Sequence, residues 1–201
     1  VTGWSVLWLG VGLGLRHAID ADHVVAVSAL VQREPGLWRA ARIAALWGTG
    51  HTAAFLGVGL LVVLAGVQVP ASFEEAAELL VAAMLVGLGL WNLRSLGRGP
   101  DASPSPRTPT ARPLLVGLVH GLAGSAGIAL LAATTIDSRA FAALYLGLFG
   151  LGTVMGMVAL TVLMSRPIAW ISSRSALARH VTTGAASLVS VALGIAIVFH
   201  S

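Results

Sequence analysis

Five side chains able to do chemistry stand close together in RHAIDADHV (16–24): Arg16, His17, Asp20, Asp22 and His23. The flanking segments, VLWLGVGLG before and VVAVSAL after, are almost wholly apolar. At a membrane centre each ionised side chain costs about 2.5–3.5 kcal/mol even on lenient scales, so the group must be paired, hydrated or put to use. Arg16 and Asp20 stand at i and i+4 and can neutralise each other on one helix face. His17, Asp22 and His23 remain, two imidazoles and a carboxylate, a borderline donor set that suits a divalent first-row metal such as Ni, Co or Zn. The competing account is a structural network in which these residues satisfy only one another.

Geometry adds a condition. At 100° per residue His17 and His23 lie about 120° apart, and Asp22 about 140° from His17. A regular helix cannot aim all three at one ion. The helix must therefore be distorted here, with Gly12 and Gly14 just ahead, or a subset binds with help from elsewhere. Two more histidines lie in apolar runs next to glycines: His51 in LWGTGHTAAF and His120 in LLVGLVHGLAGSAG. His180 and His200 are boundary residues. Met84, Met155, Met157 and Met164 are better read as packing than as Cu(I) ligands, since Met155 and Met157 point to different helix faces.

The elements that must position these groups follow from composition. Of the 201 residues 57% are hydrophobic and 10% charged, with a mean hydropathy of +0.90; a soluble domain carries about 25% charged residues, so this is a membrane protein. There is no cysteine, which excludes disulfides and thiolate chemistry. All twelve basic residues are arginine and sit between apolar runs, a topological pattern rather than a nucleic-acid surface. The opening VTGWSVLW has neither a basic n-region nor a small-residue cleavage site, so no signal peptide is expected. It also lacks an initiator Met, which leaves room for a trimmed start or an upstream extension.

Runs of about 20 apolar residues predict six transmembrane helices, near 4–31, 43–68, 74–96, 114–136, 140–164 and 181–200. For the third, Ser72 and Glu75 after Pro70 can form a capping box. The stretch 98–112 is rich in Pro, Ser and Thr and reads as a disordered cytoplasmic linker. It divides a single transmembrane domain (1–201) into 1–97 and 113–201. Arg33, Arg39 and Arg42 follow the first span, Arg94, Arg98, Arg107 and Arg112 the third, and Arg166, Arg174 and Arg179 the fifth. Glu74, Glu75 and Glu78 follow the second. Arginine-rich loops belong inside, so both termini, and the loops at 69–73 and 137–139, should face outside.

GLRHA (14–18) is echoed by GLVHG (117–121), and WGTGHT (47–52) by FGLGTV (149–154). With three spans per half, the halves enter from opposite sides, the inverted repeat of many secondary transporters, whose site lies at the repeat interface. That operation should bring His17 near the mate of His120, and His51 near that of Thr153. Gly10 and Gly14, Gly117 and Gly121, and Gly152 and Gly156, each four apart, provide faces for close helix approach.

With these residues in place, a family resemblance can be stated. RHAIDADHV resembles the signature of the nickel/cobalt transporter superfamily, in which His, four residues and Asp-His are carried here by His17, Asp22 and His23. GTGHTAAF resembles that family's second motif, carried by His51 and Thr52. HGLAGSAGIALL and FGLGTVMGM resemble the compact six-span branch of urease-accessory-type and nickel-efflux-like membrane proteins. The acidic and threonine-rich motifs of the eight-span permeases are missing, as is the histidine-rich loop of some exporters.

The resemblance implies a polytopic all-α protein of the cytoplasmic membrane that moves Ni²⁺ or Co²⁺, with no catalytic residues and no organic cofactor. His17, Asp22 and His23 would bind the ion, His51 and His120 would assist, and Arg16 and Asp20 would hold the break. Thr52 and Ser125 would offer hydroxyls to the cavity. An accessory that hands metal to metalloenzyme maturation proteins is the alternative. A bis-histidine haem carrier and an anion exporter anchored on Arg16 are more distant ones. No HExxH or GxSxG speaks for a hydrolase.

Overall fold

The computed structural model describes residues 3–31, 36–96, 111–123 and 127–200, and they are all-α. Among them eight helices follow one another: α1 (Gly3–His17), α2 (Ala21–Val31), α3 (Leu37–Ala65), α4 (Ala71–Leu96), α5 (Ala111–His120), α6 (Gly127–Thr134), α7 (Arg139–Arg174) and α8 (Ala176–His200). Four contain segments long and apolar enough to cross a membrane: Leu37–Ala65, Ala71–Arg94, Arg139–Ile168 and Ala176–Phe199. The predicted first span is instead two helices, the first of the two alternatives that the angular argument left open. The predicted fourth span, expected to be continuous, is divided as well.

Both breaks have the same backbone construction. After α1, Ala18 N–H still bonds to the Gly14 carbonyl (3.1 Å), but Ile19 reaches back only to Arg16 (3.2 Å) and Asp20 only to His17 (3.1 Å). After α5, Gly121 bonds to Gly117 (2.8 Å), Leu122 to Val119 (3.3 Å) and Ala123 to His120 (3.3 Å). Tightening from i−4 to i−3 closes each helix on its histidine and turns the chain away. Gly12 and Gly14 lie within α1, upstream of the break; a Cβ on Gly12 would meet nothing, and Gly14 packs against α7.

Helix ends explain three other departures from expectation. α4 starts at Ala71, with the Pro70 carbonyl accepting from Phe73 N–H at 2.9 Å, so Ser72 lies inside the helix and does not cap it. Glu74, Glu75 and Glu78 are consequently on α4 rather than in a loop. α7 continues past the expected end at 164, carrying Arg166 and Arg174, and only Ser175 separates it from α8. The Ser175 hydroxyl caps α8 by accepting from Ala178 N–H at 3.0 Å. At the end of α3, Gly66 takes φ 66°, its N–H bonding to the Val62 carbonyl and that of Val67 to the Leu61 carbonyl, a left-handed stop that favours glycine. Most of the predicted linker lies outside the described residues; Ala111 and Arg112 open α5.

Glycines set the helix contacts. A Cβ on Gly14 would collide with the Phe149 carbonyl and Thr153 amide of α7, and one on Gly117 with the Trp47 carbonyl and His51 amide of α3. Gly50 meets Leu114 and Leu118, and Gly152 meets Val11. Gly10, Gly121 and Gly156 also press on neighbouring helices, so all six glycines of the predicted faces are at contacts. In the α4–α8 pair, Gly89 faces the Ser187 carbonyl and Gly194 the Ala82 carbonyl. Such contacts supply the dispersion on which membrane helices rely in place of a hydrophobic driving force.

The buried core has two clusters, one including Val27, Trp47, Leu85 and Met157, the other Phe55, Tyr145, Leu146 and Phe149. Met157 is buried while Met155 is exposed, in keeping with packing roles on different faces. Asn92 of α4 is buried and donates its side-chain amide to the Ala29 carbonyl at 3.0 Å, tying α2 to α4. Asn92→Ala should lower stability by about 1 kcal/mol, read as a fall in thermal midpoint in detergent; an unchanged midpoint would show that the tie contributes nothing.

Candidate metal centre

Five elements converge between the two core clusters. His17 is the last residue of α1 and His120 the last of α5, so both breaks deliver an imidazole at the lip of a turn. Asp22 and His23 open α2, and His51 sits in the middle of α3. All four histidines are buried, with His23 and His120 fully enclosed. Trp47 walls one side, its ring centroid 5.6 Å from those of His23 and His120. Phe149 walls the other, 5.4 Å from His17.

Imidazole nitrogens approach each other in a way that invites a cation. The Nε2 atoms of His17 and His51 are 3.2 Å apart. Asp22 bridges two histidines, with one oxygen 2.9 Å from His120 Nε2 and the other 3.2 Å from His23 Nδ1. The second approach lacks hydrogen-bond alignment: neither nitrogen of His23 has a hydrogen-bond partner, nor have Nδ1 of His51 and Nδ1 of His120. A buried polar group left unsatisfied costs about 1–3 kcal/mol. Four such nitrogens are a poor structural network but good donors for an ion. Donor atoms of His17, His23 and His51 lie within 4.8 Å of one another, and so do those of Asp22, His23 and His120.

Asp20 occupies the position from which His17 can be oriented. One carboxylate oxygen lies 2.9 Å from His17 Nδ1 and the other accepts from Arg16 Nη1 at 2.7 Å. With its proton on Nδ1, His17 turns an Nε2 lone pair toward His51; a carboxylate behind a metal-binding histidine has this effect. The Arg16 side chain is 67% exposed, so the pair adds little stability and serves geometry instead. Arg16, His17 and Asp20 line a cleft of about 210 Å³ together with Leu13, Ile128, Ala129 and Phe149.

Among the described residues, Thr52 falls outside this cluster. Thr52 donates its hydroxyl to the Gly150 carbonyl at 3.2 Å, in the α3–α7 contact. Ser125 lies outside the described residues. His180 is exposed, with Nδ1 2.7 Å from the Ala176 carbonyl of its own helix. Sequence reading passed over Trp47 and Phe149. A signal existed: Trp47 precedes His51 by four residues, one turn away on the same helix face.

A urease accessory protein UreH of Bacillus sp. (strain TB-90) is 35% identical to this chain over 176 residues, covering 81% of the chain and 77% of that protein. Two Arabidopsis thaliana proteins, Chloroplast protein FOR GROWTH AND FERTILITY 2 and 1, are 27% and 26% identical over 206 and 219 residues. These alignments take in 95% and 98% of the chain but only 55% and 60% of the plant proteins. No family model and no solved structure matches the chain.

Proposed function

Since the chain belongs to the family of the urease accessory protein UreH, we propose that it carries a divalent transition-metal ion, nickel or cobalt, across the cytoplasmic membrane through the cluster of His17, Asp22, His23, His51 and His120. The observation that carries this reading is a cluster of buried histidines in which four ring nitrogens lack hydrogen-bond partners, with the Asp22 carboxylate against the rings of His23 and His120. Membership of an accessory family makes the protein a non-enzyme. The choice of nickel or cobalt comes from the resemblance of RHAIDADHV to the nickel/cobalt signature and from borderline donors that suit either ion.

The broken helices fit this role. Irregular backbone is tolerated at membrane depth where it lines a cavity, and discontinuous helices are how many transporters build ion sites. In this proposal α1 with α2 and α5 with α6 are the two divided members of a six-span 3+3 inverted repeat. Several observations support it. The bonds of the first break recur 103 residues later in the second. Gly14 on Phe149 and Thr153 is matched by Gly117 on Trp47 and His51, and Gly50 on Leu114 by Gly152 on Val11. Gly89 on Ser187 is matched by Gly194 on Ala82.

Topology has its own test. With both termini outside, the segment 98–112 is cytoplasmic, and the lack of native cysteine makes single-cysteine labelling clean. A cysteine in that segment should resist a membrane-impermeant reagent in intact cells and react after lysis. Labelling before lysis overturns the orientation.

Function is tested by Ni²⁺ or Co²⁺ uptake into vesicles reconstituted with the pure protein. Ion-dependent flux above that of empty vesicles is expected. Tight binding without flux would favour the other reading, to which the relative's description as an accessory protein lends weight: a membrane protein that hands metal to a metalloenzyme maturation complex.

A further inference from the structure

We propose that the cluster holds its ion in two successive positions that share His23, one formed by His17, His23 and His51 and the other by Asp22, His23 and His120. This rests on the proposed function and gives the ion its route through the site. The donor atoms form two compact triads with His23 in both. Its Nδ1 faces Asp22 at 3.2 Å, and neither ring nitrogen is committed to a hydrogen bond. The partners particular to each triad stand further apart: ring centroids of His51 and His120 are separated by 5.8 Å, against 4.9 and 4.7 Å from each to His23.

The two positions differ in chemistry and in access. The first is made of imidazoles alone, and His17 lines the open cleft with Arg16 and Asp20. The second adds the Asp22 carboxylate and fully buried His120, against Trp47. An ion entering from the cleft meets His17 and His51 first. It then exchanges these for Asp22 and His120 while His23 stays bound, so it is never stripped of protein donors. The Asp22–His120 hydrogen bond persists while the first position is filled and gives way as both turn onto the ion. Two dications at this spacing repel strongly, so the positions fill one at a time. Paired sites of moderate affinity let an ion enter and also leave.

The test uses the purified full chain in detergent with Co²⁺ as probe, followed by visible absorption and by titration. His51→Gln and His120→Gln stay close to histidine in volume, and each is checked for a single symmetric peak on gel filtration. Both should retain Co²⁺, and at least one should stay within about twofold of wild-type affinity, because positions that fill one at a time add their association constants; their spectra should differ, because only the second position contains a carboxylate. The double variant should bind no better than His23→Ala. In vesicles both single variants should lose uptake although they still bind.

A single variant that binds as poorly as His23→Ala overturns the two positions in favour of one joint site. Identical spectra from the two singles do the same. Wild-type protein that takes up no ion yet yields two distinct singles keeps the two positions and removes transport. Wild-type protein that binds no Co²⁺ removes both.

Discussion

His23→Ala should abolish metal binding and uptake while leaving a folded protein in the membrane. His23 is fully buried, belongs to both donor triads and has no hydrogen bond to lose. Its removal takes a donor from the ion at every position and breaks no structural bond. Affinity should fall by at least about 100-fold, and a cavity the size of an imidazole should lower stability by only about 2–3 kcal/mol. Titration with Co²⁺, gel filtration and a thermal melt read the three quantities separately. If the cluster is a structural network, the same change spares metal uptake, or aggregates the protein; wild-type uptake by His23→Ala sinks the assignment.

Asp20 and Asp22 should separate in the same assays. In a buried pair, Asp20→Asn would strand the Arg16 charge and cost stability. Arg16 is exposed, so the variant should fold normally and lose affinity through a misoriented His17. Asp22→Asn removes the only carboxylate of either triad and should lose more.

Gly117→Ala and Gly50→Ala should cost the fold itself. The added methyl at Gly117 meets the Trp47 carbonyl and His51 amide, and at Gly50 the Leu114 carbonyl and Leu118 amide. Backbone cannot swing aside as a side chain does, so α3 and α5 must separate. Overpacking of this kind reaches about 3 kcal/mol. It also moves His51 and His120 apart, since one rides on each of these helices. Gly12→Ala and Gly57→Ala are the controls, with open space at the new Cβ. Loss of monodisperse protein in the first pair, with wild-type behaviour in the second, is the expected pattern; equal melting points across all four would show that the glycine contacts do not hold the bundle.

The amino-acid sequence by itself determined the solvent and marked where a break could fall. Apolar runs of bilayer length with few charges admit only helices, because every backbone group must be satisfied within its own segment. The spacing of His17, Asp22 and His23 left either a broken helix or a subset of these donors completed by other spans; the described first span divides where those residues lie, and each donor group also draws on another helix. Small residues four apart announced the contact faces because nothing larger than hydrogen fits between touching backbones.

Other features depended on contacts remote in sequence. The second break carries no charge to demand it and follows Gly121, which is pressed onto the His51 carbonyl. The start of α4 turned on which group reached the first free amides, and the Pro70 carbonyl was there before the Ser72 hydroxyl. By residue type His51 and His120 resemble ordinary packing histidines, and only their glycine neighbours and, for His51, the GTGHTAAF motif mark them out in the sequence. Only the folding of α3 and α5 against the first break brings His51 Nε2 to 3.2 Å from His17 and His120 Nε2 to 2.9 Å from Asp22, 34 and 98 residues away along the chain. Donor type and local spacing are properties of the chain, whereas which donors share one ion is a property of distance, and distance between helices is decided by packing.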